Sequence, residues 1–97
     1  MLGLSLASVT PEMRRRFQVP DGVNGVAVTR VAPNSPAAEQ GLQPGDIIEK
    51  IDNATVTTPA EVTAKVNAAR KNDKPAVLLL VNRRGNSQFV ALKTGQA

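Results

Sequence analysis

Side chains that could carry out catalysis are scarce in this sequence. It contains no histidine and no cysteine, which excludes a Ser-His triad, thiol chemistry, and any metal site built from imidazole or thiolate ligands. The acidic residues are spread along the chain without forming a cluster. A Ser-Lys dyad needs only residue types that are present, but no motif points to one. The sequence therefore predicts no catalytic residues, no metal site and no cofactor.

The functional groups that stand out are basic. The net charge is +4 at pH 7, and much of the positive charge lies in two clusters, Arg14-Arg15-Arg16 and Arg83-Arg84. Such clusters are usually solvated surface, but they also suit an anionic partner. Aromatic residues make up only 2% of the chain, which argues against a stacking platform for single-stranded nucleic acid. We expect no nucleic-acid partner, and no apolar run reaches the roughly 18 residues of a membrane span.

Gly3 raises a question of backbone conformation. Residues 2–9 alternate leucine with small side chains, which predicts a half-buried strand. A glycine weakens such a strand because it packs nothing and loses more freedom on folding than other residues do. The spacing alone fits two interpretations: an ordinary strand start with a bulge, or a place where another group approaches the backbone closely.

The elements around these residues predict an α+β fold. Strands are predicted over 2–9, 26–31, 47–51, 75–81 and 88–93, with a sixth, short strand over 54–56. Three helices are predicted over 11–17, 36–41 and 59–71, each starting with a capping hydroxyl and a proline. Thr58 and Glu61 also match a capping box. The last two strands form a hairpin, which favours an antiparallel sheet curled into a partly open barrel of five to six short strands with two to three helices.

The stretch PNSPAAEQGLQPGDIIEKIDN, residues 33–53, resembles the hallmark of PDZ domains. It combines a small-residue helix, a Gly-Leu pair, a Gly-Asp turn, an isoleucine-rich strand and a turn at Asp52-Asn53. Asn53-Ala54 departs from the commoner Asn-Gly. The element order resembles the permuted strand order of bacterial PDZ domains. More narrowly, the chain looks like the second, C-terminal PDZ domain of the bacterial Do-type (high-temperature-requirement) serine proteases. We expect the hallmark to be scaffold rather than a ligand contact.

The resemblance implies a groove between the edge of the first strand and the capped helix. There a peptide would add to the sheet by β-augmentation, with its terminal carboxylate held by the backbone N–H groups of a hydrophobic-Gly-hydrophobic loop. The residues placed around this groove are Leu2, Gly3 and Leu4 in the carboxylate-binding loop, and Ser5, Leu6, Val62, Val66 and Ala69 along the groove.

The side chains of the capped helix predict specificity. Many relatives have a histidine at the position of Val62, where it selects serine or threonine in the ligand; valine has no donor, so we expect an apolar ligand residue there. Ala69 is small, which predicts a roomy pocket for the last side chain. We also expect Gly3→Val to weaken binding without unfolding the domain.

The resemblance implies a binding module in place of an enzyme. Residues 1–97 are expected to form a single PDZ domain, a fragment of a longer periplasmic protease chain. The domain would capture apolar protein C-termini or extended unfolded segments, and would deliver them to, or regulate, an upstream serine endopeptidase domain in protein quality control. The alternative is a mainly structural role in inter-subunit contacts of the assembled protease, with the arginine clusters as contact surfaces.

Overall fold

The structure, a computed structural model, describes residues 2–94. Six strands and three helices follow one another in the predicted order. They are β1 (Leu4–Ser8), α1 (Pro11–Arg16), β2 (Val26–Val31), α2 (Pro36–Glu39), β3 (Ile47–Ile51), β4 (Ala54–Thr55), α3 (Pro59–Lys71), β5 (Ala76–Arg83) and β6 (Asn86–Lys93). The predicted α+β class with an open antiparallel sheet is confirmed.

The sheet leaves β1 at one edge. All pairs of strands are antiparallel, the order is β1-β2-β3-β5-β6, and β4 pairs with β3. Ser5 lies opposite Arg30 and Leu6 opposite Val28, so Thr29 is the extra residue of a β-bulge. The Thr29 hydroxyl donates to the Ser5 carbonyl at 3.1 Å, which ties the bulge to the edge strand.

The helices begin where the sequence predicts them. Thr10, Ser35 and Thr58 each accept a hydrogen bond from the backbone N–H three residues later, and a proline follows each cap. The capping box of α3 is complete, because Glu61 Oε1 accepts from the Thr58 N–H at 3.1 Å. These bonds, with those from Thr57, lower the pKa of Glu61.

The core lies between the sheet and α3. Alternate residues of the β5–β6 hairpin face it and are buried, and their neighbours face outward. The inward residues are Val77, Leu79, Val81, Val90 and Leu92. Phe89 points the other way and is 64% exposed, as the alternation predicts.

Two predicted boundaries are wrong. The first strand starts at Leu4 and not at residue 2, because Leu2 and Gly3 have φ angles of +51° and +86°, which an extended strand does not allow. The last hairpin turns within Arg84-Gly85, a tighter loop than the predicted 82–86. Asn82 and Arg83 are polar, which suggested a loop, yet both continue the β5 ladder.

Candidate functional site

The turn at Leu2-Gly3, which we call the entry turn, determines the direction of the backbone groups at the start of β1. The Leu2 carbonyl accepts from the Ala37 N–H at 3.4 Å, and the Gly3 carbonyl accepts from the Ala32 N–H at 2.7 Å. In a trans peptide the C=O and the following N–H point in opposite directions. The Gly3 amide therefore points away from α2, and the Leu4 amide points away from β2.

These directions suit an anion-binding turn. Successive N–H groups of a left-handed turn form a concave surface that attracts negative charge. Within residues 2–94 no acceptor is described for the Gly3 amide. In the predicted carboxylate-binding loop, Leu2, Gly3 and Leu4, the Gly3 amide is thus the donor that the described part of the chain leaves for a ligand.

Gly3 also has a structural task that the sequence analysis missed. A Cβ atom at Gly3 would lie 2.2 Å from the Ser35 Cβ and 2.3 Å from its Oγ. Ser35 is buried and cannot move freely, because its hydroxyl donates to the Ala32 carbonyl at 2.7 Å and caps α2. The prediction that Gly3→Val leaves the fold intact is therefore wrong: the side chain would clash with Ser35, and the φ angle of +86° would strain it further.

The strand β1 places its predicted groove residues on two faces. Leu4 is buried, and Leu2 and Leu6 are half-buried and pack against the core. Ser5 is exposed and points to the opposite face, where it lies opposite Arg30 of β2. The leucines therefore face the core, as predicted, while Ser5 faces solvent.

The structure brings the predicted residues of α3 into the same cluster. Val62, Val66 and Ala69 share one core with Leu4, as the helical spacing predicts. They are only 2%, 0% and 4% exposed, so none of them is open to a ligand in this structure. The packing of α3 against β1 closes the groove on the helix side.

The roomy pocket predicted at Ala69 does not open toward β1 either. Ala69 lines a cavity of about 180 Å³ on another side of α3. That cavity opens toward Asp52 and Lys74, which form an ion pair at 3.5 Å. A ligand side chain that reached Ala69 from the β1 edge would have to displace core side chains.

Arg30 is a candidate that the sequence analysis did not single out. It is exposed and lines a cavity of about 310 Å³ next to the entry turn, together with Gly3, Leu4, Ser5, Ala32 and Pro33. The bulge at Thr29 shifts the register of β2, so simple alternation along the strand does not reveal which residue lies opposite Ser5. Arg30 supplies a positive charge beside the edge of β1.

The Gly45-Asp46 turn of the hallmark stretch, which we call the hallmark turn, is scaffold, as expected. Asp46 is 1% exposed, and its carboxylate accepts from the Gln43 N–H at 3.0 Å and from the Arg83 guanidinium at 2.7 and 2.8 Å. The Gly45 N–H donates to the Val28 carbonyl, and the Val28 N–H donates to the Asp46 carbonyl, both at 2.8 Å. The polar groups of this turn are thus directed at the fold itself.

Residues 2–94 show neither a metal site nor a membrane-spanning helix. This part of the chain contains no group of three or more acidic side chains placed to hold a metal ion. None of its helices combines the length and the apolar character needed to cross a bilayer.

Known sequences are similar to this chain along most of its length. A family model described as "PDZ domain" matches residues 27–82. The "Probable periplasmic serine endoprotease DegP-like" of Brucella suis is 42% identical over 72 residues, which are 74% of this chain and 14% of the relative. The "Magnetosome formation protease MamE" of Magnetospirillum gryphiswaldense is 39% identical over 95 residues, 98% of this chain and 12% of the relative. The chain thus spans only 12 to 14% of the lengths of these relatives.

Two solved structures share the fold and hold peptides. The HtrA3 PDZ domain bound to a phage-derived ligand (FGRWV) superposes with a TM-score of 0.77 at 27% identity, covering 96% of this chain and 82% of that one. The HtrA-type protease AlgW with a decapeptide has a TM-score of 0.78 at 26% identity, covering 96% of this chain and 28% of that one.

Proposed function

Since the chain belongs to the PDZ domain family, we propose that it captures protein C-termini or extended segments by adding them as a strand to the free edge of β1. The observation that carries the proposal is the entry turn. Its two carbonyls are bonded to α2 and to the segment after β2, so the Gly3 amide points away from α2, and no acceptor is described for it within residues 2–94. A terminal carboxylate at that place would meet this donor, and the peptide behind it would pair with β1.

The ligand's side chains would then alternate between two surroundings. Those facing α3 would approach Leu2 and Leu6, the half-buried apolar side chains of the groove, and Val62 favours an apolar residue two positions before the C-terminus. Those facing outward would lie near Ser5 and Arg30, where an acidic side chain is favoured. The peptide in the HtrA3 structure ends in valine, in line with an apolar last residue.

Peptide binding requires the groove to open. Since Val66 is 0% exposed and Val62 only 2%, a ligand side chain reaches them only if α3 and β1 move apart. Separating α3 from β1 costs part of the free energy gained by their packing. We therefore expect dissociation constants of the order of micromolar.

The relatives extend the proposal to the longer protein. Both are named as proteases, and the name of the Brucella relative adds that it is a periplasmic serine endoprotease. We propose that this domain lies in a periplasmic protease of that kind. It would deliver substrate to an upstream serine endopeptidase domain, or regulate that domain, as part of protein quality control. Its position as the second PDZ domain stays a prediction.

A structural role is the second candidate, and the closed groove favours it. With Val62, Val66 and Ala69 packed in the core, the domain would serve mainly to contact the protease domain and neighbouring subunits. The two roles differ in one respect that can be measured on the domain itself, which is binding of a free peptide.

Titration with the peptide FGVWV tests the proposal; it is the peptide of the HtrA3 structure with valine in place of the arginine two positions before the C-terminus, as the apolar side chain of Val62 requires. The chain contains no tryptophan, so the fluorescence of the ligand's tryptophan reports binding directly. We expect the free acid to bind and the C-terminal amide to lose most of the affinity. Equal binding of both forms would contradict a carboxylate site, and absence of binding by either would favour the structural role.

A matched pair of variants locates the binding. Leu6→Ser changes the groove face of β1, while Leu78→Ser makes the same change on the outer face of β5, where Leu78 is 43% exposed. We expect the first to weaken the peptide about tenfold, or about 1.4 kcal/mol, and the second to leave it unchanged. An equal effect of both would place the ligand elsewhere.

A further inference from the structure

The two arginine clusters of the sequence meet in the fold. Arg16, at the end of α1, and Arg83 and Arg84, at the tip of the β5–β6 hairpin, line one cavity of about 170 Å³. The rest of its wall consists of Phe17, Gln18, Gln43, Pro44, Gly45 and Asp46. We call it the basic cavity. It shares none of these residues with the proposed peptide groove.

Arg83 is occupied by the fold. Its Nε and Nη2 donate to the two carboxylate oxygens of Asp46 at 2.7 and 2.8 Å, and Nη2 also donates to the Gly41 carbonyl at 2.9 Å. This pairing raises the pKa of Arg83. The charge of Arg83 is therefore balanced by Asp46, the one acidic residue in the wall.

The other two arginines are not balanced in this way. The ion pairs found among residues 2–94 are Arg83–Asp46 and Lys74–Asp52, and neither includes Arg16 or Arg84. The Arg16 guanidinium lies 5.7 Å from the centroid of the Phe17 ring, a cation–π contact that leaves its N–H groups available to an acceptor. The basic cavity thus carries two unbalanced positive charges.

The wall is held in place before any ligand arrives. The Phe17 ring packs so closely on the hallmark turn that a Cβ at Gly45 would lie 3.1 Å from its Cδ1. The Phe17 N–H donates to the Met13 carbonyl at 2.8 Å, which anchors the end of α1. The wall around Phe17 and Gly45 is therefore formed by the fold itself, and only the exposed side chains of Arg16 and Arg84 have to adjust to an anion.

We propose that the basic cavity binds a glutamate or aspartate side chain from an acidic polypeptide segment. Arginine pairs with carboxylates through parallel N–H donors, and Arg16 and Arg84 supply two such groups. Phe17 and Pro44 add apolar surface that can contact the methylene groups of a glutamate side chain. A bare inorganic ion has no such groups and would gain nothing from this surface. The volume fits one side chain.

The test uses a peptide that cannot engage the carboxylate-binding turn. An acetylated Trp-Glu₆ peptide with a C-terminal amide is titrated against the domain by tryptophan fluorescence, beside the matching Trp-Gln₆ peptide. We expect binding of the first only, weakened by added salt. The double variant Arg16→Gln/Arg84→Gln should lose at least tenfold in affinity. Lys71→Gln/Lys93→Gln, which removes the same charge at exposed positions outside the cavity, should retain it.

Each other outcome decides against the proposal. Equal weakening in both double variants would show unspecific charge attraction. Binding of inorganic phosphate that depends on Arg16 and Arg84, with no binding of the acidic peptide, would make the cavity a site for a small anion. Binding to phosphatidylglycerol vesicles that depends on Arg16 and Arg84, without peptide binding, would make it a membrane contact. Neither arginine forms an ion pair within residues 2–94, so the melting temperature of the variant should match that of the wild type and verify its fold.

Discussion

Two glycine-containing turns of this domain use their backbone polar groups in opposite ways. At the hallmark turn, Gly45 and Asp46 exchange hydrogen bonds with Val28, and the Asp46 carboxylate is bonded to Gln43 and Arg83. At the entry turn, the carbonyls of Leu2 and Gly3 are bonded inward, while the Gly3 amide points away from α2.

The difference separates recognition of the family from recognition of a ligand. The hallmark turn belongs to the most distinctive motif of the sequence, and its polar groups form hydrogen bonds within the fold. The entry turn consists of common residues, yet it carries the donor of the proposed site. A motif that identifies a domain thus need not be the part that binds.

The largest expected effect breaks the entry turn. In Gly3→Val, left-handed backbone costs about 1–2 kcal/mol and overpacking against Ser35 costs about 1–3 kcal/mol more. The free energy of unfolding, measured in urea, should fall by the sum of the two. Ser35→Gly keeps a tolerated cap and removes the clashing Cβ, so it should recover the overpacking part in the double variant. Additive losses would mean that the two residues do not touch.

The next effect breaks the hallmark turn. Asp46→Ala leaves the Arg83 guanidinium without its carboxylate and removes the acceptor of the Gln43 N–H, which should cost about 3 kcal/mol in the free energy of unfolding. Asp21→Ala, at an exposed position, serves as control. A loss below about 1 kcal/mol for Asp46→Ala would show that the turn does not depend on this ion pair.

The smallest expected effect concerns α3, the helix that packs against β1. Hydrogen bonds from Thr57 and Thr58 lower the pKa of Glu61, so the folded state favours the ionised form. This contribution is fully present above the ordinary glutamate pKa and is lost as the pH falls through the lowered pKa of the folded state. Wild type should therefore be more stable than Glu61→Gln at pH 7, and the gap should shrink on acidification. A gap that stays constant down to pH 2 would contradict the capping role.

Local patterns predicted most of the fold because each helix carries its own start signal. Ser or Thr followed by proline located all three helices, and alternation located the core residues of β5 and β6. What local patterns could not show was contact between distant segments. The approach of Gly3 to Ser35, the pairing of Asp46 with Arg83, and the meeting of the two arginine clusters arise only when the sheet is assembled.

The residues predicted to line the groove lie side by side in the structure, but those of α3 are buried and leave no open groove. Helical spacing gave Val62, Val66 and Ala69 as one face, and the resemblance to PDZ domains placed that face beside β1. Spacing does not tell how close the two elements lie, which depends on packing of the whole core. The structure sets them in contact, leaving Leu2 and Leu6 as the accessible apolar groups.

Binding of a peptide carboxylate at the Gly3 amide is tested most directly by the NMR signal of that amide. An amide ¹H–¹⁵N spectrum is recorded while FGVWV, as free acid or as C-terminal amide, is added to the domain. We predict that the free acid moves the Gly3 amide proton strongly downfield, with smaller shifts along β1, and that the amidated peptide does not. A Gly3 signal that stays in place while a saturating free-acid peptide shifts residues elsewhere would contradict carboxylate binding at this turn.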